Sequence, residues 1–367
     1  MAYNNDPRIV MTLDAGGTNF VFSAVQAEKE IVEPIILSAK GETLEMVLQT
    51  IIDGFRQVQS KVPGKPVAIS FAFPGPADYN TGIIGDLQNL PLFRGGVALG
   101  PMLTEKFRIP AFINNDGDLF ALGEAISGLL PEINNKLRES GNPKEYRNLF
   151  GVTFGTGFGG GIVTRNGLLF GDNSSGGEIN RMRNKTFKYF DAEESVSIRG
   201  LKREFANYSG LNTGSCPEPK EIYEIGIGKS KGNKEAALSA FESFATDAAD
   251  ALANAVTLID GLIVIGGGLS GAYSLFLPKL VLEMNSPFNT SAGHPLPRLE
   301  VSVFNLEDPV DLDRFLRPAT KEIQIPFSDR KMDFDPNKKI GVGITRLGTS
   351  QAVSIGAYAF ALHKIDG

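Results

Sequence analysis

Asp14 and Asp116 are the acidic residues whose neighbours give them chemistry. Asp14 ends an apolar run and opens the turn Gly16-Gly17-Thr18-Asn19. A carboxylate there could hold a hydrated magnesium ion, because that hard cation takes oxygen ligands and keeps several waters. Asp116 lies in Asn114-Asn115-Asp116-Gly117-Asp118, between a short apolar strand and a helical stretch. One polar side chain there caps the helix. The surplus points elsewhere: Asp116 could accept a proton from an attacking hydroxyl, and Asn115 could orient a neighbouring hydroxyl. The end of a strand is also where α/β proteins bind ligands.

A second glycine turn, Gly155-Thr156-Gly157-Phe158-Gly159-Gly160-Gly161, follows the apolar run 149–153. Glycines let peptide N–H groups come close to a bulky anion, and Thr18 and Thr156 each add a hydroxyl donor. Two such turns suggest loops closing on the phosphates of one nucleotide. Gly155, Gly157 and Gly160 also spell the dinucleotide fingerprint, but that motif needs a helix next, and 162–164 reads as a strand. Gly266-Gly267-Gly268 follows strand 262–265 and would let an adenine and ribose lie against bare backbone. Glu178 stands in a loop where it could accept sugar hydroxyls; a solvated glutamate is the plainer reading. His294 and His363 have no companions for a thiolate zinc site or a Ser-His triad.

The elements that must position these residues alternate between strand and helix, which predicts an α/β fold. Strands are expected at 9–13, 20–25, 31–37, 66–73, 111–114, 149–153, 262–265 and 298–304. Helices are expected at 43–60, 117–128, 195–208, 234–258, 274–284 and 350–362. Residues 131–147 read as a polar excursion, and 307–339 shows no clear period. The apolar residues of that late stretch, Phe315, Leu316, Ile323 and Phe327, could cover a neighbour; packing on their own lobe is the plainer reading. The restart of strand, glycine turn and strand at 149 predicts two similar lobes.

Composition narrows the partners. Among 367 residues, 42 acidic and 36 basic side chains leave a net charge of −6, which lacks the broad attraction of a nucleic-acid binder. No uncharged apolar run reaches membrane-spanning length. Cys216 is the single cysteine, so no intramolecular disulfide is expected and a cytoplasmic location is the simpler reading. The first eight residues have neither the layout of a signal peptide nor room for an upstream DNA-binding domain.

In their order, the motifs resemble the ROK family of sugar kinases and related proteins, within the actin-like ATPase superfamily. The matching pieces are Asp14 to Thr18, Pro74-Gly75-Pro76, Asn89-Leu90-Pro91-Leu92, Asn115-Asp116-Gly117 with Ala121-Leu122-Gly123-Glu124, Gly155 to Gly161, Gly177-Glu178-Ile179, and Ile265 to Ser270. They cover the chain from about residue 9 to 271. The resemblance implies an actin-like ATPase fold, two ribonuclease-H-like lobes with a cleft between them. Residues 1–128 with 349–367 would form the first lobe and 129–348 the second.

Carried over, the resemblance gives Asp14, Gly16, Gly17, Thr18 and Asn19 to the ATP phosphates and magnesium, the ion being held through water by Asp14. Gly155, Thr156, Gly157 and Gly159 would form the second phosphate loop, and Gly266, Gly267 and Gly268 would contact the adenosine. Asn89, Asn115, Asp116 and Glu178 would bind the sugar, with Asp116 as catalytic base. Where the family has Gly-His after Gly-Glu-Ile, this chain has Asn180-Arg181, and no cysteine stands between 183 and 194. No structural zinc is therefore expected. Arg181 is a permanent fork donor suited to carboxylate or phosphate, and is assigned to the substrate. The family habit implies a homodimer. The function expected is ATP-dependent phosphorylation of a hexose or hexose derivative, at O6. The alternative is a catalytically weak or inactive sugar sensor on the same scaffold; an acyl phosphotransferase is a third.

Overall fold

The computed structural model describes residues 3–15, 18–87 and 92–367. The chain opens with β1 (Val10–Ala15), β2 (Asn19–Gln26), β3 (Lys29–Glu30) and β4 (Ile35–Ser38). Next come α1 (Leu44–Lys61), β5 (Ala68–Ala72), the short pair β6 (Ala77–Asp78) and β7 (Ile83–Ile84), and α2 (Leu99–Phe107). It continues through β8 (Ala111–Asn114), α3 (Asp116–Ile126) and α4 (Leu129–Glu139) to β9 (Leu149–Phe154), β10 (Phe158–Thr164) and β11 (Gly167–Leu168). Then follow α5 (Ile198–Ser209), α6 (Pro219–Gly226), α7 (Lys234–Ile259), β12 (Leu262–Gly266) and α8 (Tyr273–Met284). The order ends with β13 (Pro287–Asn289), β14 (Pro295–Pro297), β15 (Ser302–Asn305), α9 (Pro309–Leu316), β16 (Lys321–Gln324), β17 (Lys331–Phe334), β18 (Lys339–Ile344) and α10 (Thr349–Asp366).

These elements form two compact units. One comprises Met1–Gly128, Gly161–Gly177 and Arg346–Gly367; the other comprises Leu129–Gly160 and Glu178–Thr345. The first is built on a sheet ordered β3-β2-β1-β5-β8, with β4 added to β2. β1 and β2 form an antiparallel hairpin, while β1, β5 and β8 run parallel. Strand pleating sends successive side chains to opposite faces. Met11, Leu13, Ile69, Phe71 and Ile113 therefore pack with Phe55 of α1. Val10 and Ala68 pack against Tyr358 of α10 on the other face. Thr43 caps α1 by accepting the Met46 N–H at 3.3 Å, and the helix buries Val47, Ile51, Phe55 and Val58 at helical spacing.

Glycine sets how closely α3 and α10 cross. A Cβ on Gly123 would lie 2.0 Å from the Ala352 carbonyl oxygen, and one on Gly356 would lie 1.9 Å from that of Leu119. α10 buries Ala357 through Leu362 without interruption, as befits a helix sunk in its lobe. Residues 161–177 belong with the first unit because Gly161 lies against the start of α3 and Phe170 packs edge-on to Phe360, centroids 5.6 Å apart.

In the second unit the sheet order is β11-β10-β9-β12-β18-β15, and β9, β12, β18 and β15 are parallel. The chain thus repeats a hairpin followed by parallel strands, as the sequence restart predicts. Two expectations are corrected here. The stretch expected as a polar excursion contains α4, whose Leu129, Leu130, Ile133 and Leu137 are buried; the stripe is sparse enough for its charged face to mask it. The late stretch contains α9, capped by Asp308, and the hairpin β16–β17. Of its apolar residues Phe315 is buried and stacks on Tyr146, but Ile323 is 41% exposed and Phe327 is fully exposed.

Candidate functional site

Within the first unit the register lines up three residues at the C-terminal ends of the parallel strands. Asp14 pairs with Ala72, and Ala72 with Asn114, so all three share one face of the sheet, the face turned to α3 and α10. Asn114 is 1% exposed, and its Oδ1 accepts the Asn115 N–H at 2.8 Å. Asn115 caps α3 by accepting the Gly117 N–H at 2.8 Å, and Asp116 Oδ1 accepts the same N–H at 2.9 Å. One asparagine thus fixes the elbow and the next caps the helix. Asp116 is left exposed at the first helical position, where the helix dipole favours an anion.

The carboxyl groups are electrostatically unusual. Asp116 reaches solvent, yet the protein around it withholds enough water that desolvation raises its pKa, opposed by the N–H groups of Gly117 and of Asp116 itself. Asp14 likewise reaches solvent, yet its pKa is raised, first by desolvation from the protein around it and second by the negative charge of Asp116. A desolvated carboxylate that also faces the negative charge of a second one is a donor that a hard, water-carrying cation would relieve. On that ground Asp14 fits magnesium. Thr18 and Asn19 are exposed at the start of β2. Gly16, Gly17 and Asn89 lie outside the described residues.

In the second unit β9 turns into β10 through residues 155–157, closed by a bond from the Gly155 N–H to the Gly157 carbonyl at 3.0 Å. A strand follows, so the dinucleotide geometry is absent there. The glycines divide by role. Gly267 has φ +85°, and a Cβ on it would lie 2.3 Å from the Phe154 carbonyl oxygen. The Leu269 N–H donates to that same oxygen at 2.9 Å. A Cβ on Gly157 would crowd Glu193, and one on Gly159 would crowd Thr153. By contrast, a Cβ on Gly268 would meet nothing, and one on Gly155 only the Gly268 nitrogen at 3.9 Å. Gly155 and Gly268 therefore offer adjacent stretches of bare backbone to open space, a cradle that fits a phosphate or the flat face of a nucleoside. Thr156 stands exposed between Gly155 and Gly157.

Glu178 is exposed and precedes a single 3-10 turn, Ile179–Arg181. Arg181 points largely into solvent and lies 3.7 Å from Asp191. Among the described residues no three His, Cys, Asp or Glu side chains gather as a metal cluster, and no helix is long and apolar enough to cross a membrane.

Three supports escape the sequence reading. Glu193 accepts the Phe158 N–H at 3.0 Å and so braces the 155–157 turn from 35 residues away. Asn114, taken as part of a polar cluster, sets the elbow of Asp116. Gly161, counted with the phosphate glycines, makes room for α3: its Cβ would lie 2.3 Å from the Gly117 carbonyl oxygen. Only the doubling of glycines at 159–161, in excess of what one turn needs, hinted at this last role.

The model of the ROK family matches residues 10–308. N-acetyl-D-glucosamine kinase from Photobacterium profundum is 27% identical over 290 residues, spanning 74% of this chain and 88% of its own. The crystal structure of a glucokinase from Parabacteroides distasonis is 53% identical, covers 99% of both chains, and superposes with a TM-score of 0.90. A ROK family glucokinase from Streptomyces griseus, solved with glucose and AMPPNP, has a TM-score of 0.60 at 17% identity over 96% of this chain and 98% of its own; that likeness concerns the fold.

Proposed function

This chain belongs to the ROK family, and from that premise we propose that it is an ATP-dependent carbohydrate kinase acting on a hexose or hexose derivative, at O6. The observation that carries the reading is the placing of Asp116: first residue of α3, within electrostatic reach of Asp14, just past the C-terminal end of β8. The 53% identity to a protein named glucokinase supports the substrate class. Relatives named N-acetyl-D-glucosamine kinase keep the acetylated sugars in view.

Transfer of a phosphoryl group to an alcohol passes through a loose transition state, so positioning and charge neutralisation do most of the work. Asp116 takes the hydroxyl proton, and its raised pKa makes it a stronger base than an ordinary carboxylate. Asn89, Asn115 and Glu178 orient the sugar, and Arg181 serves substrates that carry an anionic group. Thr18, Asn19 and the turn at 16–17 hold ATP phosphates, as do Gly155, Thr156, Gly157 and Gly159, with Gly266 to Gly268 under the nucleoside. Magnesium, held through water by Asp14, would offset the negative charge of the phosphates when bound. A cytoplasmic homodimer without structural zinc completes the reading.

ADP release measured over hexoses, N-acetylhexosamines and sugar acids tests it. At least one sugar should stimulate release and yield its phosphate ester in equal amount. Sugar binding without stimulation would identify a sensor instead.

A further inference from the structure

Glu124 is a buried carboxylate that the transfer chemistry leaves unused. It exposes 0% of its surface. Its Oε1 accepts the backbone N–H groups of Arg346 at 3.1 Å and Leu347 at 3.2 Å. Gly128 makes room for it, since a Cβ there would lie 2.1 Å from Oε2. Arg346 and Leu347 lead through Gly348 into α10, so the charge also stands at the positive end of an 18-residue helix. A buried carboxylate taking two N–H donors is held far more tightly than a surface pair.

α3 carries Asp116 at its N-terminal end and Glu124 eight residues on, about 12 Å along the axis at 1.5 Å per residue. Glycines let α3 and α10 touch backbone to backbone, at Gly123 and Gly356. Leu119 and Leu122 of α3 pack with Val353, Ala357 and Phe360 of α10, so a shift of one helix is carried to the other. Gly161 bounds α3 at its N-terminal end through the Gly117 carbonyl. Glu124 supplies the opposite fixed point.

We infer that Glu124 is a positioning residue for phosphoryl transfer: its grip on the entry to α10 sets the axial position of α3, and with it the place of the Asp116 carboxylate. This rests on the reading of Asp116 as the base. Three variants test it, with kcat, KM, the pH profile and Tm measured for each. Glu124→Asp keeps the charge but is one methylene shorter, so α3 must slide or release its partners. A misplacement of about 1 Å can lower rates on the order of 10²-fold, so kcat should fall by about 10- to 100-fold with KM for ATP and sugar within about twofold. Glu124→Gln keeps the length and one acceptor oxygen, and should lower kcat by about 3- to 10-fold.

Tyr358→Phe is the structural control. It removes the hydroxyl that accepts the Ala27 N–H at 3.1 Å, and should lower Tm while leaving kcat and the acid limb of the pH profile in place. That limb should move in Glu124→Asp. Wild-type kcat in folded Glu124→Asp overturns the inference; if that variant does not fold, wild-type kcat in Glu124→Gln does so. Should wild type transfer phosphate to no sugar at all, the kinase reading falls and this inference with it. Active wild type with unaffected Glu124 variants removes the inference alone.

Discussion

Asp116 stands near enough to Asp14 for its negative charge to raise the Asp14 pKa, on top of the rise that desolvation by the surrounding protein already causes. Replacing Asp116 with Asn removes the charge and keeps an oxygen for the Gly117 N–H. Asp14 should then titrate lower than in wild type, though still above an ordinary aspartate because the desolvation remains. Carboxyl chemical shifts followed through a pH titration measure this directly. An unchanged Asp14 midpoint would mean that the two groups are not coupled.

The same pair makes stability depend on pH in a defined direction. Both carboxyls hold their protons to higher pH in the native state than in the unfolded chain. The native state therefore binds more protons in that window, and stability falls as pH rises from the unfolded carboxylate value, about 4, through the raised native values. Asp116→Asn should accordingly raise Tm at pH 7, and the difference from wild type should vanish below about pH 4, where both forms are protonated. Thermal melts across pH check the sign.

The glycines should separate folding from nucleotide binding. Gly267→Ala puts a Cβ at φ +85° against the Phe154 carbonyl, and should destabilise the fold by about 1–3 kcal/mol. Gly155→Ala and Gly268→Ala meet open space, so their Tm should stay near wild type. Each should raise KM for ATP by about tenfold, equivalent to about 1.4 kcal/mol of lost binding. Normal ATP affinity in both would remove this backbone from the nucleotide site.

Strand β15 is the edge of its sheet, and side chains seal it. The Asn285 amide accepts the Val303 N–H at 2.9 Å and donates to the Val303 carbonyl at 2.8 Å, while the Asn305 N–H donates to Asp311 at 3.4 Å. An open edge invites pairing with another chain. Asn285→Ala should destabilise the protein by about 1–3 kcal/mol by leaving these groups unpaired. It should also speed aggregation on mild heating, followed by light scattering.

What could be read from the sequence was local. The turn at Asp14, the elbow from Asn114 to Asp116 and the restart at Leu149 each announce themselves within ten residues, because strand, turn and cap preferences act at short range. α4 was hidden since its stripe of Leu129, Ile133 and Leu137 sits among charges that look like a linker. The supports of the site were hidden for a different reason. Glu193 braces a turn 35 residues earlier, and Glu124 reaches Arg346, 222 positions away. No window of sequence holds both partners. Exposed Ile323 and Phe327 on the β16–β17 hairpin went against hydrophobicity itself, which speaks for burial but cannot say where a short arm ends.

The most direct test of the account is single-turnover phosphate transfer to the preferred sugar by wild type and by Asp116→Ala, with sugar and ATP affinities measured alongside. Loss of the base should slow transfer by about 10²–10⁴-fold while both affinities stay within a few fold. Transfer at the wild-type rate in the Ala variant would contradict the role assigned to Asp116.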